Sequence, residues 1–326
     1  MPMSTLALAL ALVALPAPAE LAAGPTGAQP IIGGELVPID TWQSVVAIIG
    51  IDNGLASATA HLCTGVLLDE QTAMTAAHCL AEAESYDQVL VIFGDSMYTI
   101  DPNRRTTAAA SGKHPKYCFD DGCSEDAFDY GYVVLTDAVV GVELIPPLVD
   151  QAEWDELMVE DHEVTLVGFG SSRDTSEDGA APLQMSEVGY KRAVTTAISG
   201  FSSTGIEFVA GSEGRDTCNG DSGGPVFAQL ANGEWRLVGI TSRGKTPCGS
   251  GHGIYGVPYA ALPWIRDETG IDLLPAECAA ADCLDTAPPK ERGCSIVGAE
   301  GRGEGVPLGF GLVVLAAGVG LRRRRR

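Results

Sequence analysis

Three short segments of the chain carry side chains that could together perform nucleophilic catalysis. His78 lies in the run TAAHC, Asp129 opens the run DYGYVVL, and Ser222 lies in the glycine-rich run GDSGGP. A serine hydroxyl is a poor nucleophile until a base takes its proton, and neutral imidazole is matched to that task near pH 7. A buried carboxylate must then hold the imidazole in the right tautomer. Each residue alone has a structural explanation, but the three together predict an activated serine.

The elements that must position these residues are predicted to be strands. Between residues 31 and 272 the chain is a succession of short β-branched runs separated by turn residues, and Asn232-Gly233 between two of them predicts a hairpin. Strands and helices do not alternate regularly, which favours an antiparallel barrel or sandwich over a parallel sheet. Apolar residues at helical spacing over 259–269, followed by a glycine, predict a closing helix.

The segment from Ile31 to Ile265 resembles the trypsin-like serine proteases, which have the chymotrypsin fold. The resemblance rests on TAAHC and GDSGGP, which occur together, at this separation and in the family's order of histidine, aspartate and serine. It implies an all-β fold of two antiparallel six-stranded β-barrels with a short C-terminal helix, and an active site in the cleft between the barrels. It also implies that His78 is the general base, Asp129 its orienting carboxylate and Ser222 the nucleophile.

Two further assignments concern the surroundings of these three residues. By resemblance, the backbone amides of Gly220 and Ser222 form the oxyanion hole, which stabilises the charge that develops during acyl transfer. Asp126, three positions before Asp129, is the alternative carboxylate. Asp129 is preferred because an apolar strand follows it directly, as burial of the carboxylate requires.

The expected substrate preference rests on Asp216. It lies six residues before Ser222, where trypsin-like enzymes carry the aspartate at the base of the primary specificity pocket. The resemblance therefore implies cleavage after Arg or Lys, whose cation pairs with an otherwise costly buried carboxylate. Arg243 departs from the family, which commonly has tryptophan at that wall, so a broader or altered preference is the alternative. The residues implied for the pocket walls are Ser242, Gly244 and Gly253.

Activation is expected to depend on a free amine. By the same resemblance, the amine of Ile31 inserts and pairs with Asp221 after the bond between Pro30 and Ile31 is cut. Pro30 is not basic, so the expected enzyme would not cut there itself. The chain is therefore expected to need another protease, or trimming after removal of a signal peptide.

Composition and the N-terminus bound the class of protein. The 326 residues are 45% hydrophobic and 19% charged, and 20 basic against 43 acidic residues give a formal net charge of -23. Nucleic acid is therefore not an expected partner, because both molecules would be anionic. Residues 5–15 are apolar and precede the small-x-small pattern Ala17-Pro18-Ala19. Residues 1–19 are thus predicted to be a secretory signal peptide and residues 20–30 a propeptide or trimmed segment.

Nine cysteines in an exported chain predict disulfides with one cysteine left over. The resemblance implies one bridge beside the histidine, between Cys63 and Cys79. It implies a second that braces the specificity pocket, between Cys218 and Cys248. A local bridge in an acidic loop is expected between Cys118 and Cys123. Beyond the predicted domain, Cys278 could pair with Cys283 and leave Cys294.

The C-terminal part has a different composition. The protease domain is predicted over 31–275, and a linker rich in Ala, Pro, Gly and charged residues over 276–305. Residues 306–326 form a glycine-interrupted apolar stretch that ends in five arginines. With Gly293-Cys294-Ser295 ahead of it, this end resembles the tripartite C-terminal sorting signals of Gram-negative bacteria, especially the myxobacterial type. That resemblance implies cleavage or lipidation near Cys294; a permanent membrane anchor or a flexible tail is the alternative.

These observations predict a secreted serine endopeptidase that cleaves after Arg or Lys and is retained on the bacterial cell surface or outer membrane. It is expected to need no metal or organic cofactor. Its expected partners are protein or peptide substrates, an activating protease and a sorting protease, with membrane contact only through the tail. A non-catalytic binding protein on the same fold is the alternative from another class. Such proteins usually lose a member of the triad, and all three candidates are present here.

Overall fold

Short strands dominate the computed structural model on both sides of residue 150. The structure describes residues 31–51, 61–83, 86–99, 101–119, 126–174, 184–278 and 283–287. In chain order, the first seven strands are β1 (Glu35–Leu36), β2 (Val45–Ile51), β3 (Leu62–Leu67), β4 (Thr72–Thr75), β5 (Gln88–Phe93), β6 (Arg105–Lys113) and β7 (Gly131–Leu135). The other six are β8 (Glu163–Gly168), β9 (Arg192–Phe201), β10 (Glu207–Ala210), β11 (Pro225–Gln229), β12 (Trp235–Gly244) and β13 (Gly253–Gly256).

The strands close into two antiparallel barrels. The first has the order β2-β3-β4-β7-β6-β5 and closes where β2 pairs with β5. The second has the order β9-β10-β13-β12-β11-β8 and closes where β8 pairs with β9, while β1 adds to the start of β9. Closure removes the unpaired edges that an open sheet would leave. The prediction of two six-stranded antiparallel barrels is confirmed.

Strand β2 shows why these residues form a barrel wall. Its side chains alternate between two hydrophobic clusters, as the two-residue period of a strand requires. Val45 and Ala47 pack in a cluster that includes Phe227 of the second barrel, whereas Val46 and Ile48 pack in the interior cluster of the first barrel. Both faces are therefore buried, which explains why VVAIIGI is a continuous apolar run rather than an alternating one.

Three short α-helices accompany the barrels in the described part of the chain: α1 (Ala77–Ala83), α2 (Gln151–Leu157) and α3 (Leu262–Thr269). The closing helix is confirmed in type, but its start differs from the prediction. Residues 258–261 form a separate 3-10 turn, and Pro263 lies in the first turn of α3, where its missing N–H leaves no unmade bond. Gly270 ends α3 with φ of 82°, as a glycine cap does.

Several predictions fall wholly or partly outside the described residues. These are the signal peptide, the segment 20–30, Cys123, most of the linker, Cys294 and the apolar C-terminal stretch. The chain divides into two units, Met1–Pro288 and Pro289–Arg326, and every described residue belongs to the first. Within the described ranges, no helix is long and apolar enough to cross a membrane.

Candidate active site

His78 is positioned by the short helix α1, which begins two residues after β4 ends. The run TAAHC is thus a strand end followed by a helix rather than a continuous strand. The backbone N–H of His78 donates to Oδ1 of Asp129 at 2.9 Å, and His78 Nδ1 lies 2.7 Å from Asp129 Oδ2. The two side chains are 16% and 1% exposed, respectively. The carboxylate is therefore dry, while part of the imidazole faces solvent.

Asp129 lies two residues before β7, and its carboxylate receives a third donor. The hydroxyl of Ser242 donates to Asp129 Oδ2 at 2.8 Å. Two contacts with His78 and one with Ser242 compensate for burial of this carboxylate. The alternative carboxylate, Asp126, instead accepts from the hydroxyl of Thr204 at 2.7 Å. The structure therefore brings Asp129, and not Asp126, to the histidine.

Ser222 lies in the turn before β11, residues 220–224, which we call the serine turn. Two hydrogen bonds connect this turn with the first barrel. Its carbonyl accepts from the N–H of Thr64 on β3 at 2.8 Å, and the Thr64 hydroxyl donates to the carbonyl of Gly220 at 2.9 Å. The Sγ atom of Cys79 lies 3.6 Å from the Ser222 carbonyl oxygen and 3.8 Å from His78 Nε2. The serine turn of one barrel and the histidine helix of the other thus meet at Cys79.

The same turn contains two backbone amides, those of Gly220 and Ser222, that donate no hydrogen bond to any of the described residues. The amides of Asp221, Gly223 and Gly224 each donate one hydrogen bond. Gly220 has φ of 95°, and an added Cβ would lie 2.9 Å from the Cα of Gly170. Only glycine fits this backbone. The amides on either side of Asp221 could therefore stabilise a developing oxyanion.

A pocket of about 140 Å³ lies next to Ser222 and reaches down to Asp216. Asp216 is 2% exposed and accepts from the amides of Thr217 at 2.9 Å and Gly251 at 3.0 Å. Burial raises the pKa of the Asp216 carboxyl, and backbone donors offset this only in part. The lining includes Ser242 and Gly244, and Gly253 pairs with Gly244 across the neighbouring strand.

Arg243 also lines this pocket, but its charge is engaged within the protein. Both terminal nitrogens contact the carboxylate of Glu207, at 2.6 and 2.9 Å. Glu207 is buried, and its hydrogen bond is the largest cause of the raised pKa of Arg243. The cation that departs from the family pattern is therefore neutralised by an acid on β10.

Asp221 belongs to the turn that carries Ser222, and it is buried. Its Oδ1 accepts from the amide of Gly170 at 2.8 Å and its Oδ2 from the amide of Cys218 at 2.9 Å. Burial nevertheless raises the pKa of Asp221 to about 7. Ile31, the other residue predicted for activation, is also fully buried and packs in the core of the second barrel. A cationic partner would favour the ionised form of this carboxyl, which burial otherwise disfavours.

Three disulfides join cysteines that both lie among the described residues. The first joins Cys63 to Cys79 and ties β3 to α1, and the second joins Cys218 to Cys248 at the pocket next to Ser222. A third joins Cys278 to Cys283. Cys118 is also disulfide-bonded, while Cys123 lies outside the described residues. Each bridge closes a loop and so restricts the unfolded chain, which favours the folded state.

Two clusters of side chains of the kinds that bind metal ions occur among the described residues. One contains His61, Cys63 and Cys79, and the other contains Asp174, Cys218 and Cys248. In both, the sulfur atoms belong to a disulfide. A thiolate is the form of cysteine that binds metals, so neither cluster offers the donor set of a metal site.

Sequence reasoning missed two contributors to the site. Ser242 was expected at a pocket wall and does line the pocket, but the hydrogen bond that its hydroxyl donates to Asp129 was not predicted. Glu207 was not singled out at all, although it holds Arg243. Its only sequence signal is an acidic residue at the start of the apolar run EFVA, where a buried strand is expected.

The fold and the comparisons with known proteins agree on the class. Two six-stranded antiparallel barrels are the chymotrypsin fold, and the family model described as Trypsin matches residues 31–265. That match covers most of the chain, which therefore belongs to the trypsin family. It is a serine-type endopeptidase.

The chain is similar to several characterised proteases at low identity. Trypsin 5G1 of Aedes aegypti is 26% identical over 246 residues, which cover 74% of this chain and 85% of the relative. Proclotting enzyme of Tachypleus tridentatus is 26% identical over 251 residues, which cover 73% of this chain and 65% of the relative. Spermosin of Halocynthia roretzi is 28% identical over 238 residues, which cover 68% of this chain and 58% of the relative. The matched region therefore spans less than two thirds of the latter two relatives.

Proposed function

We propose that the chain hydrolyses peptide bonds after Arg or Lys through an acyl-enzyme on Ser222. The observation that carries the proposal is the contact of His78 Nδ1 with the buried Asp129 carboxylate at 2.7 Å. This contact fixes the proton on Nδ1 and leaves Nε2 as the basic nitrogen. The pocket that reaches Asp216 supports the substrate class, because a buried carboxylate is best paired by a cation.

The reaction follows from these positions. His78 Nε2 takes the proton of the Ser222 hydroxyl as its oxygen attacks the carbonyl carbon of the peptide. The amides of Gly220 and Ser222 stabilise the oxyanion, and the imidazolium then gives its proton to the leaving amine. Water repeats the sequence on the acyl-enzyme and regenerates Ser222. Asp129 holds the imidazole in place throughout.

Peptide hydrolysis tests the nucleophile and the pocket separately. The chain beginning at Ile31 is assayed on short chromogenic peptides that end in Arg, Lys, Phe or Ala. We expect hydrolysis after Arg and Lys, loss of it in Ser222→Ala, and loss of the basic preference in Asp216→Ser. Activity that survives in Ser222→Ala would overturn the nucleophile. An unchanged preference in Asp216→Ser would overturn the pocket.

A protease with broader or altered preference is the second candidate. The ion pair between Arg243 and Glu207 favours it, because a polar pair replaces the tryptophan expected at this wall. Comparable rates on Phe and Arg peptides would support this candidate. A catalytically inert chain with intact folding would instead support a binding protein on the protease fold.

Activation is proposed to require a cut between Pro30 and Ile31. The amine of Ile31 would then pair with Asp221, whose burial and raised pKa make a cationic partner favourable. Because Pro30 is not basic, another protease would make the cut. Equal activity of chains that begin at Ile31 and at Glu20 would contradict this mechanism.

Secretion and surface retention are proposed from the two ends of the sequence. Residues 1–19 would act as the signal peptide, and the apolar stretch with its arginine cluster, after Cys294, would act as a sorting signal. We expect Cys294→Ala to release the enzyme into the medium without loss of secretion. Unchanged retention would contradict processing or lipidation at Cys294.

A further inference from the structure

Arg243 and Glu207 form a two-point ion pair beside the Asp129 carboxylate. Arg243 Nη2 lies 2.6 Å from Glu207 Oε2, and Nη1 lies 2.9 Å from Oε1. Glu207 is 4% exposed, and its Oε1 also accepts from the amide of Ala127 at 2.9 Å. A buried ion pair seldom adds stability over an apolar pair of the same size. Its position next to the proposed triad therefore points to a role in the chemistry.

A chain of polar contacts connects this ion pair with the histidine. Arg243 Nη1 lies 3.4 Å from the hydroxyl oxygen of Ser242, which donates to Asp129 Oδ2 at 2.8 Å. The same Asp129 oxygen lies 2.7 Å from His78 Nδ1. Strand β10 supplies Glu207, β12 supplies Ser242 and Arg243, and α1 supplies His78. The Asp129 oxygen connects β12 with α1, and Arg243 extends this chain of contacts to β10.

Four charged groups face one another in this region: Asp126, Asp129, Glu207 and Arg243. Tyr130 reports their proximity. Its pKa is raised well above the usual value, first by burial and then by the charges of the three acids, while Arg243 opposes them. The charges of Asp129 and Asp126 also raise the pKa of Arg243, after the larger effect of its bond to Glu207. Three carboxylates face one guanidinium, so negative charge is in formal excess and the loss of either partner of the ion pair changes the local field.

We propose that Arg243 and Glu207 are positioning residues for the catalytic base: Glu207 holds the guanidinium against Ser242, and their two charges balance the field at Asp129 and His78. The inference rests on the proposed triad. A positive charge near Asp129 disfavours the imidazolium, and a negative charge favours it. Removing the Glu207 charge alone must therefore make His78 harder to protonate, and then removing the Arg243 charge must reverse the change.

The test is the acid limb of the pH profile of kcat/KM, which reports the base of the free enzyme. The variants are Glu207→Gln and the double variant Glu207→Gln with Arg243→Met, in the chain beginning at Ile31. Glutamine retains an acceptor for the amide of Ala127. We expect the limb to move to lower pH in the single variant, by about 0.5 to 1 pH unit for one partly screened charge. In the double variant it should move back toward the wild-type position.

A matched ion pair on the same strand provides the control. Arg236 of β12 contacts the carboxylate of Glu153 through Nε at 2.7 Å and through Nη2. Glu153→Gln, alone and with Arg236→Met, should leave the acid limb in place, because this pair has no contact with Ser242 or Asp129 among those of the described residues. General destabilisation would affect both sets of variants and would not produce shifts of opposite sign.

The outcomes separate this inference from the proposed function. An acid limb that stays in place, or moves in the same direction in both steps, overturns the role of Arg243 and Glu207. Wild-type activity that depends on Ser222 and His78 would still support the triad in that case. If activity survives in His78→Ala, the proposed function itself fails, and the inference fails with it.

Discussion

Ile32 and Asp216 are joined by an antiparallel bridge, in which the amide of Asp216 donates to the Ile32 carbonyl at 3.1 Å. The residue after Ile31 is therefore part of the backbone that supports Asp216 in the pocket next to Ser222. Asp221, five residues after Asp216, is buried in the same region. The Ile31 amine is thus one residue away from Ile32, whose carbonyl accepts the hydrogen bond from the amide of Asp216.

The first prediction concerns the partner of that amine. In the chain beginning at Ile31, Asp221→Asn should lower kcat/KM by about 10²-fold or more, because removing one partner of a buried ion pair strands the other. Kinetics on an Arg peptide measure the effect. Glu213→Gln, at an exposed position nearby, is the control and should retain full activity. An Asp221→Asn enzyme with more than half of the wild-type activity would contradict the pairing.

The second prediction concerns stability against pH in the chain that retains residues 20–30. Burial raises the pKa of Asp221 from 3.8 to about 7. The folded state therefore holds a proton between pH 4 and 7 that the unfolded state has lost, so this group lowers the free energy of unfolding as pH rises through that window. Denaturant unfolding at pH 5 and pH 8 should show a smaller decrease in Asp221→Asn than in the wild type. Equal decreases would contradict an unpaired Asp221.

The third prediction concerns Ser242. Ser242→Ala removes one of the three donors to the Asp129 carboxylate and should lower kcat/KM by about 10-fold or more, the effect of losing a hydrogen bond to a charged group. Ser199→Ala, which removes an exposed hydroxyl that donates to the Val209 carbonyl, is the matched control. A Ser242→Ala enzyme as active as this control would show that the third donor is dispensable.

The fourth prediction concerns Lys191, which is 2% exposed and donates to the Trp42 carbonyl at 2.8 Å. Burial lowers its pKa from 10.5 to about 7. The unfolded state therefore binds the proton more tightly between pH 7 and 10.5, and this group raises the free energy of unfolding as pH rises through that window. Lys191→Met should remove this rise. The free energy of unfolding of the variant, relative to that of the wild type, should therefore be greater at pH 7 than at pH 9.5. A difference independent of pH would contradict the lowered pKa.

Much of the fold was predictable because its determinants are local. Short β-branched runs separated by turns indicate antiparallel barrels, and the hairpin at Asn232-Gly233 is confirmed between β11 and β12. The boundary inside TAAHC was not predictable from strand propensity. The strand ends at Thr75, and the helix that carries His78 begins at Ala77, where the disulfide of Cys79 and the Asp129 carboxylate hold the turn.

The site was predictable where a motif marks the residue and not where distant residues combine. The resemblance to the trypsin family indicated Asp216, which lines the pocket next to Ser222. The pairing of Glu207 with Arg243 joins residues 36 positions apart, and neither side chain alone indicates the other. Ser242 lies 113 positions from Asp129, and only the packing of the second barrel against the first brings the two side chains together. Such contacts depend on strand register, which the sequence specifies only through the whole fold.

Covalent labelling tests the central claim most directly. The chain beginning at Ile31 is treated with a fluorophosphonate, which phosphonylates activated serines, and the modified peptide is identified by mass spectrometry. We predict one adduct per chain, on Ser222, and its loss in His78→Ala and Asp129→Ala while Asp216→Ser still labels. An adduct on another residue, or equal labelling of wild type and His78→Ala, would contradict the assignment of Ser222 as a nucleophile activated by His78.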